Sequence, residues 1–203
     1  MRVFLGITGA SGAPYAKGIL DGLVSAGADV GVCASSAGIE VLATELYGDA
    51  SLERDDVLAR FTQGAAGVTV YAPDDWKSPY ASGSARVHAY VVCPCSMSTV
   101  GTLASGAMTN LIHRAASVAL KERRRLVLVL RESPYSLLHL RNMATVTEAG
   151  AVVMPAAPSF YSAPHSLEGL LDTVTARVLD QIGIPNELMR RWTGSLVGHR
   201  EPS

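Results

Sequence analysis

Short apolar runs alternate with segments of helical period along most of this chain. Residues 2–8 (RVFLGIT) are apolar, rich in β-branched types and stop at Gly9, which predicts a buried first strand. Residues 12–27 follow with Leu and Ile at helical spacing. The alternation then repeats. Strands are predicted at 28–34 (ADVGVCA), 67–72 (GVTVYA), 89–93, 125–131 and 151–154, and helices at 36–47, 98–123, 136–149 and 166–182. Residues 73–88 read as loop, with Pro73, Pro79 and the small-residue run Ala81-Ser82-Gly83-Ser84. Strands and helices in this order argue for a parallel sheet covered on both faces, a three-layer Rossmann-like (flavodoxin-like) α/β fold. One domain is expected over 1–185, followed by a polar tail over 186–203 placed to reach a neighbouring chain.

Composition narrows the function classes. The chain has 203 residues, 48% hydrophobic and 17% charged, which suits one compact domain with a sizeable core. A formal net charge of −1 supplies no basic surface for nucleic acid. No apolar run approaches the roughly 18 residues of a membrane span, and the N-terminal apolar stretch is too short for a signal-peptide core. Cys33, Cys93 and Cys95 form neither a CxxC pair nor an even-numbered framework. Cys93 and Cys95 are read as sharing one face of an extended segment, too close together for an easy disulfide. A reducing, cytoplasmic location is expected. No His, Cys or carboxylate cluster has metal-ligand spacing, so no required metal is expected. GASG is not the GxSxG nucleophile elbow.

In an open α/β sheet, ligands bind at the carboxyl ends of the strands, so the turns there carry the candidate chemistry. The first, Thr8 to Gly12 (TGASG), joins a strand to a helix and offers backbone N–H groups where an anion is favoured. Ser11 is read as a helix cap or a ligand contact. The turn is not GxGxxG and no acidic residue ends the second strand, which disfavours a dinucleotide and leaves room for a mononucleotide. Ser35 and Ser36 follow the second strand, where a hydroxyl is placed either to meet the same ligand or, the favoured reading, to cap a helix. CPCSMST places Ser96, Ser98 and Thr99 after the fourth strand, as caps or as an anion or flavin-edge site. Arg114 stands in an apolar helical stretch, and its planar fork suits phosphate. His113 is read as a surface or interface residue, and Met97 and Met108 as packing residues. The run Lys121 to Arg125 (KERRR) reads as a solvated helix end that complements the helix dipole. The pair Arg131-Glu132 at a strand end and Tyr161 in PAAPSFYSAPHS are less bland. Sequence spacing does not establish that Tyr161, Arg177 and Trp192 converge.

Taken together, these motifs resemble the flavin prenyltransferases of the UbiX family. The resemblance is carried by TGASGAPY, VLATE ending at Glu45, DDW with Trp76, ASGS at 81–84 and CPCS. It continues through NLIHRAASVALKERRRLVLVLRESP, HLRNM, GAVVMPAAPSFY and ARVLDQIGIP, and ends in RW at Trp192, so it spans nearly the whole chain. It implies that flavin mononucleotide (FMN) is bound in its reduced form, with no metal required. A dimethylallyl group from dimethylallyl phosphate would then be joined to flavin N5 and C6. The product, prenylated FMN, would serve a UbiD-type decarboxylase, and a homo-oligomer, by resemblance a dodecamer, would place its sites at subunit junctions.

By the same resemblance the flavin contacts fall on Gly9, Ala10, Ser11, Ser35, Ser96, Met97, Ser98, Thr99 and Arg114. The allyl-phosphate contacts fall on Lys121, Arg131, Tyr161 and Arg177, with Ser82 beside the allyl group. Glu45 and Glu132 match residues that assist proton transfer and phosphate departure, and Trp76 and Trp192 match aromatic residues near the site. This assignment replaces the helix-end reading of Lys121. One departure is Ser36, where relatives often carry Lys. The alternative is an FMN-dependent cysteine decarboxylase of the related fold. Such enzymes usually carry a His in the second helix and a PASANT-like turn, where this chain has Glu45 nearby and CPCSMST.

Overall fold

The computed structural model describes residues 1–192. Six parallel strands form one sheet in the order β3-β2-β1-β4-β5-β6. They are β1 (Arg2–Ile7), β2 (Asp29–Ala34), β3 (Val68–Val70), β4 (Ala89–Cys95), β5 (Arg125–Leu130) and β6 (Val152–Pro155). The order is that of a doubly wound Rossmann sheet, with its reversal between β1 and β4. Every residue of β4 is buried, as are β1 and β5 after their first residues, which is why these strands read as unbroken apolar runs.

Helices α1 (Ala13–Ser25), α2 (Ser36–Tyr47), α3 (Arg54–Thr62) and α7 (Leu167–Gln181) cover one face with a core built on Val3, Leu5, Ile7 and Val91. Helices α4 (Met97–Ala104), α5 (Leu111–Lys121) and α6 (Leu137–Glu148) cover the other, over Phe4, Tyr90 and Val92. A 3-10 turn at Pro79–Ala81 lies on that second face, inside the long loop ahead of β4. Its Tyr80 ring is 1% exposed and fills a notch that only glycine can leave open: a Cβ on Gly31 of β2 would stand 2.1 Å from the ring. Phe4 and Tyr71 flank the same ring, with centroids 5.1 and 5.5 Å away.

Four expectations need correction. Helix α3 is absent from the sequence reading, because Val57, Leu58 and Phe61 are its only buried residues in a charged segment. The single helical stretch over 98–123 is two helices, separated where Gly106 takes a positive φ of 74° and Asn110 caps α5. The basic run is not one helix end: α5 stops at Lys121, and Arg125 already begins β5. Cys93 and Cys95 do not share a face. A register shift between Val92 and Cys95 turns Cys95 toward the α4–α6 side, while Cys93 packs on the α1 side. All three cysteines are free and buried, and burial pushes the Cys33 thiol up to about 12. Among the described residues no helix is long and apolar enough to cross a membrane.

Candidate functional site

The crevice at the sheet's reversal is tied shut at its base by one hydroxyl. Thr8, 3% exposed, donates its Oγ1 proton to the Pro94 carbonyl at 2.9 Å and accepts the Ser96 N–H at 2.8 Å. The Thr8 N–H also meets the Pro94 carbonyl, at 3.1 Å. The turn after β1 and the turn after β4 are therefore one rigid unit. Ser96 caps α4, accepting from Thr99 N–H at 3.3 Å, and its hydroxyl lies 3.1 Å from that of Thr99. Thr99 and Met97 are buried and Ser98 is exposed. The first N–H groups of α4 have no carbonyl acceptor within the helix, and beyond the Thr99 N–H taken by Ser96 such a helix start stabilises an anion.

The β2 side of the crevice is equally built. Ser35 caps α2, accepting from Gly38 N–H at 3.0 Å, as its cap reading expects. Its own N–H donates to the Ile7 carbonyl at 2.9 Å, so the α2 start is fixed on the end of β1. The approach is close: a Cβ on Gly38 would lie 2.5 Å from the Ile7 oxygen. Ser36 is exposed on the first turn. Arg54, on the unforeseen α3, donates to the Ala34 carbonyl at 2.7 Å and brings a cation beside Ser35.

The start of α1 departs from expectation. Its N–H groups are not open to an external anion, because Glu45 reaches across from α2 and accepts from Gly12 N–H and Ala13 N–H, both at 2.8 Å. The carboxylate is itself the anion that the helix end favours. The cap position is Gly12, not Ser11. Ser11 is exposed, and its carbonyl accepts from Arg131 Nε at 3.3 Å. Gly9 and Ala10 complete this turn, and Glu132, next to Arg131, accepts from Ser133 N–H at 3.1 Å.

A second cluster lies along α5. Arg114 donates Nε to the Ala81 carbonyl at 2.9 Å and sets Nη1 against the Met108 sulfur at 3.7 Å. These residues and Trp76 line a cavity of about 390 Å³. Met108 is thus 43% exposed beside the guanidinium, not a packing residue. His113 is not a surface residue either: it is 7% exposed and its Nδ1 is 2.9 Å from the Thr109 hydroxyl, and burial lowers its pKa. Further down the helix Lys121 pairs with Glu122, and both stand over Gly83 in the ASGS loop, next to Ser82. Arg124 holds the same loop by donating to the Gly83 carbonyl at 2.6 Å.

The four expected allyl-phosphate residues do not meet within one chain. Lys121 precedes β5 and Arg131 follows it, and the six residues of that strand put about 20 Å between them at about 3.3 Å per residue. Tyr161 and Trp192 do converge, edge to face with centroids 5.0 Å apart. Arg177 joins them indirectly: it and Arg191 both bind Asp180, at 2.9 and 2.6 Å. Residues 193–203 of the expected tail lie outside the described residues. A groove of about 620 Å³ lined by α1 and α7 touches none of the expected site residues. Among the described residues no group of three or more His, Cys, Asp or Glu could hold a metal ion.

Comparison with known proteins shows the family. The flavoprotein family profile matches residues 1–179. The flavin prenyltransferase UbiX of Pseudomonas aeruginosa is 47% identical over 197 residues, covering 94% of this chain and 93% of that protein. The crystal structure of AnUbiX (PadA1) in complex with FMN and dimethylallyl pyrophosphate superposes with a TM-score of 0.84 at 36% identity, over 96% of this chain and 98% of that one. The dodecameric FMN-dependent UbiX-like decarboxylase of Escherichia coli O157:H7 gives 0.83 at 35% identity, over 96% and 100%.

Proposed function

From the premise that this chain belongs to the flavoprotein family, and within it to the UbiX flavin prenyltransferases, we propose that it joins a dimethylallyl group from dimethylallyl phosphate to FMN. Reduced FMN supplies the nucleophilic positions, N5 and C6, and the prenylated product serves a UbiD-type decarboxylase. What carries the reading is one coincidence. A chain 47% identical to a flavin prenyltransferase presents, at the reversal of its sheet, a rigid crevice with hydroxyls, a helix start and an unsaturated guanidinium.

The residues present fit a flavin phosphate. Arg114 spends Nε on Ala81 and has guanidinium N–H groups left for an anion. The first turn of α4, with Ser96, Met97, Ser98 and Thr99, supplies further donors. The turn at Gly9, Ala10 and Ser11 is instead closed to a phosphate by Glu45 and suits the edge of the ring system. Ser35 lines the β2 side. In this reading FMN spans the ends of β1, β2 and β4, with its phosphate near α4 and Arg114.

Departure of phosphate from an allylic carbon builds negative charge, which Lys121, Arg131, Tyr161 and Arg177 stabilise by positioned donors. Trp76 presents a π face to the cationic allyl carbon, and Ser82 lies beside it. Closure at C6 needs a proton on the allyl alkene carbon and afterwards releases the proton of C6, and Glu132, next to Arg131, shuttles it. Glu45 keeps Ser11 and the α1 start in place for that step. The separation of Lys121 from Arg131 is resolved by assembly: one chain contributes Lys121 and another Arg131 and Glu132. Helix α6 exposes Leu137, Leu138 and Leu140, an apolar surface suited to subunit contact in a dodecamer. The tail with Trp192 is the other contact segment, and the buried thiols suit the reducing cytoplasm.

The test is to incubate the purified protein with reduced FMN and dimethylallyl phosphate and to measure the flavin mass. A gain of the dimethylallyl mass is expected. Unmodified flavin with both reactants present overturns the reading.

A further inference from the structure

Asp180, in the last turn of α7, has no place in the chemistry above, yet its carboxylate is saturated. Oδ2 accepts from Arg177 Nη1 at 2.9 Å and from Arg191 Nη1 at 2.6 Å. Oδ1 accepts from Arg191 Nη2 at 2.8 Å and from Asn186 Nδ2 at 3.1 Å. A carboxylate has about four acceptor sites, and here all are filled, from α7, from the turn after it and from the chain that follows. An ordinary i,i+3 ion pair on a helix surface contributes little. This one differs because Arg191 grips both oxygens as a fork, a geometry that fixes direction as well as distance.

The grip has two consequences. Arg191 is the neighbour of Trp192, so holding Arg191 on α7 brings the Trp192 ring edge to face onto Tyr161. The segment then walls a cavity of about 250 Å³ with Tyr161, Ser162, Met189 and Arg190. In addition, two guanidiniums share one carboxylate, so these three groups together carry a net positive charge that suits an anion. The pull of Arg191 holds the Asp180 carboxyl below the ordinary carboxylate range, which keeps it charged under working conditions.

We propose that Asp180 is a positioning residue for the allyl donor: it aims Arg177 and, through Arg191, docks Trp192 on Tyr161, so that the phosphate-binding cation and the aromatic pair are presented together. This rests on the reading that Arg177 and Tyr161 take the donor.

Two variants test it. Asp180→Asn keeps the shape and removes the charge. Arg191→Gln releases the docked segment and leaves the Arg177–Asp180 pair intact. Trp192 emission is read in a Trp76→Phe background, and kinetics are read with both tryptophans present. Both variants should shift Trp192 emission to the red. Asp180→Asn should raise KM for dimethylallyl phosphate by about tenfold, the equivalent of about 1.4 kcal/mol. Its kcat and its Kd for FMN should change little, and Arg191→Gln should raise KM less. Asp180→Glu, which keeps the charge, should recover part of the loss. Parent-like Trp192 emission in both variants overturns the docking role whatever the activity. A red shift with unchanged KM overturns the link to the donor. Failure of the parent protein to prenylate FMN sinks the functional reading instead, and the emission experiment still reports on Asp180.

Discussion

In the crevice between β1 and β4, the polar side chains are already satisfied by their own chain: Thr8 by Pro94 and Ser96, Glu45 by the α1 start, Ser35 by Gly38. At the periphery the pairing is local and exposed. Lys121 leans on its neighbour Glu122, and Arg177 on Asp180 three residues away. Two different tasks follow from this difference. The crevice is organised by folding, and in the proposed reading it receives the flavin without rearranging. In the proposed reading the peripheral cations become a site only when another chain brings their complement. Crevice residues should therefore show their effects in stability and flavin affinity, and peripheral ones in donor KM or turnover, with stability and flavin affinity unchanged.

The sharpest break would come from Lys121→Ala. Losing one donor to a developing anion typically lowers turnover by about 10²–10³, and the melting temperature and FMN affinity should stay at parent values. Comparable destabilisation would erase the distinction. Co-expressing Lys121→Ala with Glu132→Gln should restore part of the activity, since a mixed assembly contains junctions where both residues are intact. No recovery would place Lys121 and Glu132 in one chain's site. Thr8→Val should do the reverse of Lys121→Ala. It leaves the Ser96 N–H unpaired in a buried setting, at a cost of about 1–3 kcal/mol in denaturant unfolding. Arg114→Ala should weaken FMN binding by about 1–3 kcal/mol, the scale of a charge-assisted hydrogen bond, measured by flavin titration. Ser35→Ala removes a helix cap and should cost about 1 kcal/mol of stability.

The smallest effect concerns His113. Burial lowers its folded pKa below the unfolded value of about 6.5, so the unfolded chain binds the extra proton first. Its contribution is fully present above that value and is lost as pH falls below it. His113→Asn should flatten the fall in melting temperature between about pH 7 and pH 5. An unchanged slope would place the titrating group elsewhere.

Much of this was legible in the chain because parallel strands buried on both faces read as plain apolar runs, and their turns carry hydroxyls and glycines at the functional rim. The cap role of Ser35 and the standing of Arg114 in an apolar helical stretch follow from local pattern. What failed required a distance or a direction. The Cys95 face depends on a register shift that alternation cannot register. The Glu45 carboxylate finds its partners 33 and 32 residues away, across two elements. His113 has one polar neighbour in sequence that suggests a surface, yet it points inward on a helix whose buried side includes Leu111, Ile112 and Ala115. The remoteness of Lys121 from Arg131 was available in principle, since a parallel strand between two residues must carry them to opposite rims.

The Tyr80 ring seated in the Gly31 notch changes how the loop over 73–88 behaves in time. A long segment bearing Trp76 and Ser82 would ordinarily open on its own, independently of the sheet. Anchored at its middle, it can swing only in two short halves, and the turn at Pro79–Ala81 opens only when β2 itself does. Amide exchange at Tyr80 and Ala81 should then slow to the rate of the central strands, with fast exchange confined to the flanks. Protease nicking should likewise fall on the flanks and spare the anchored turn.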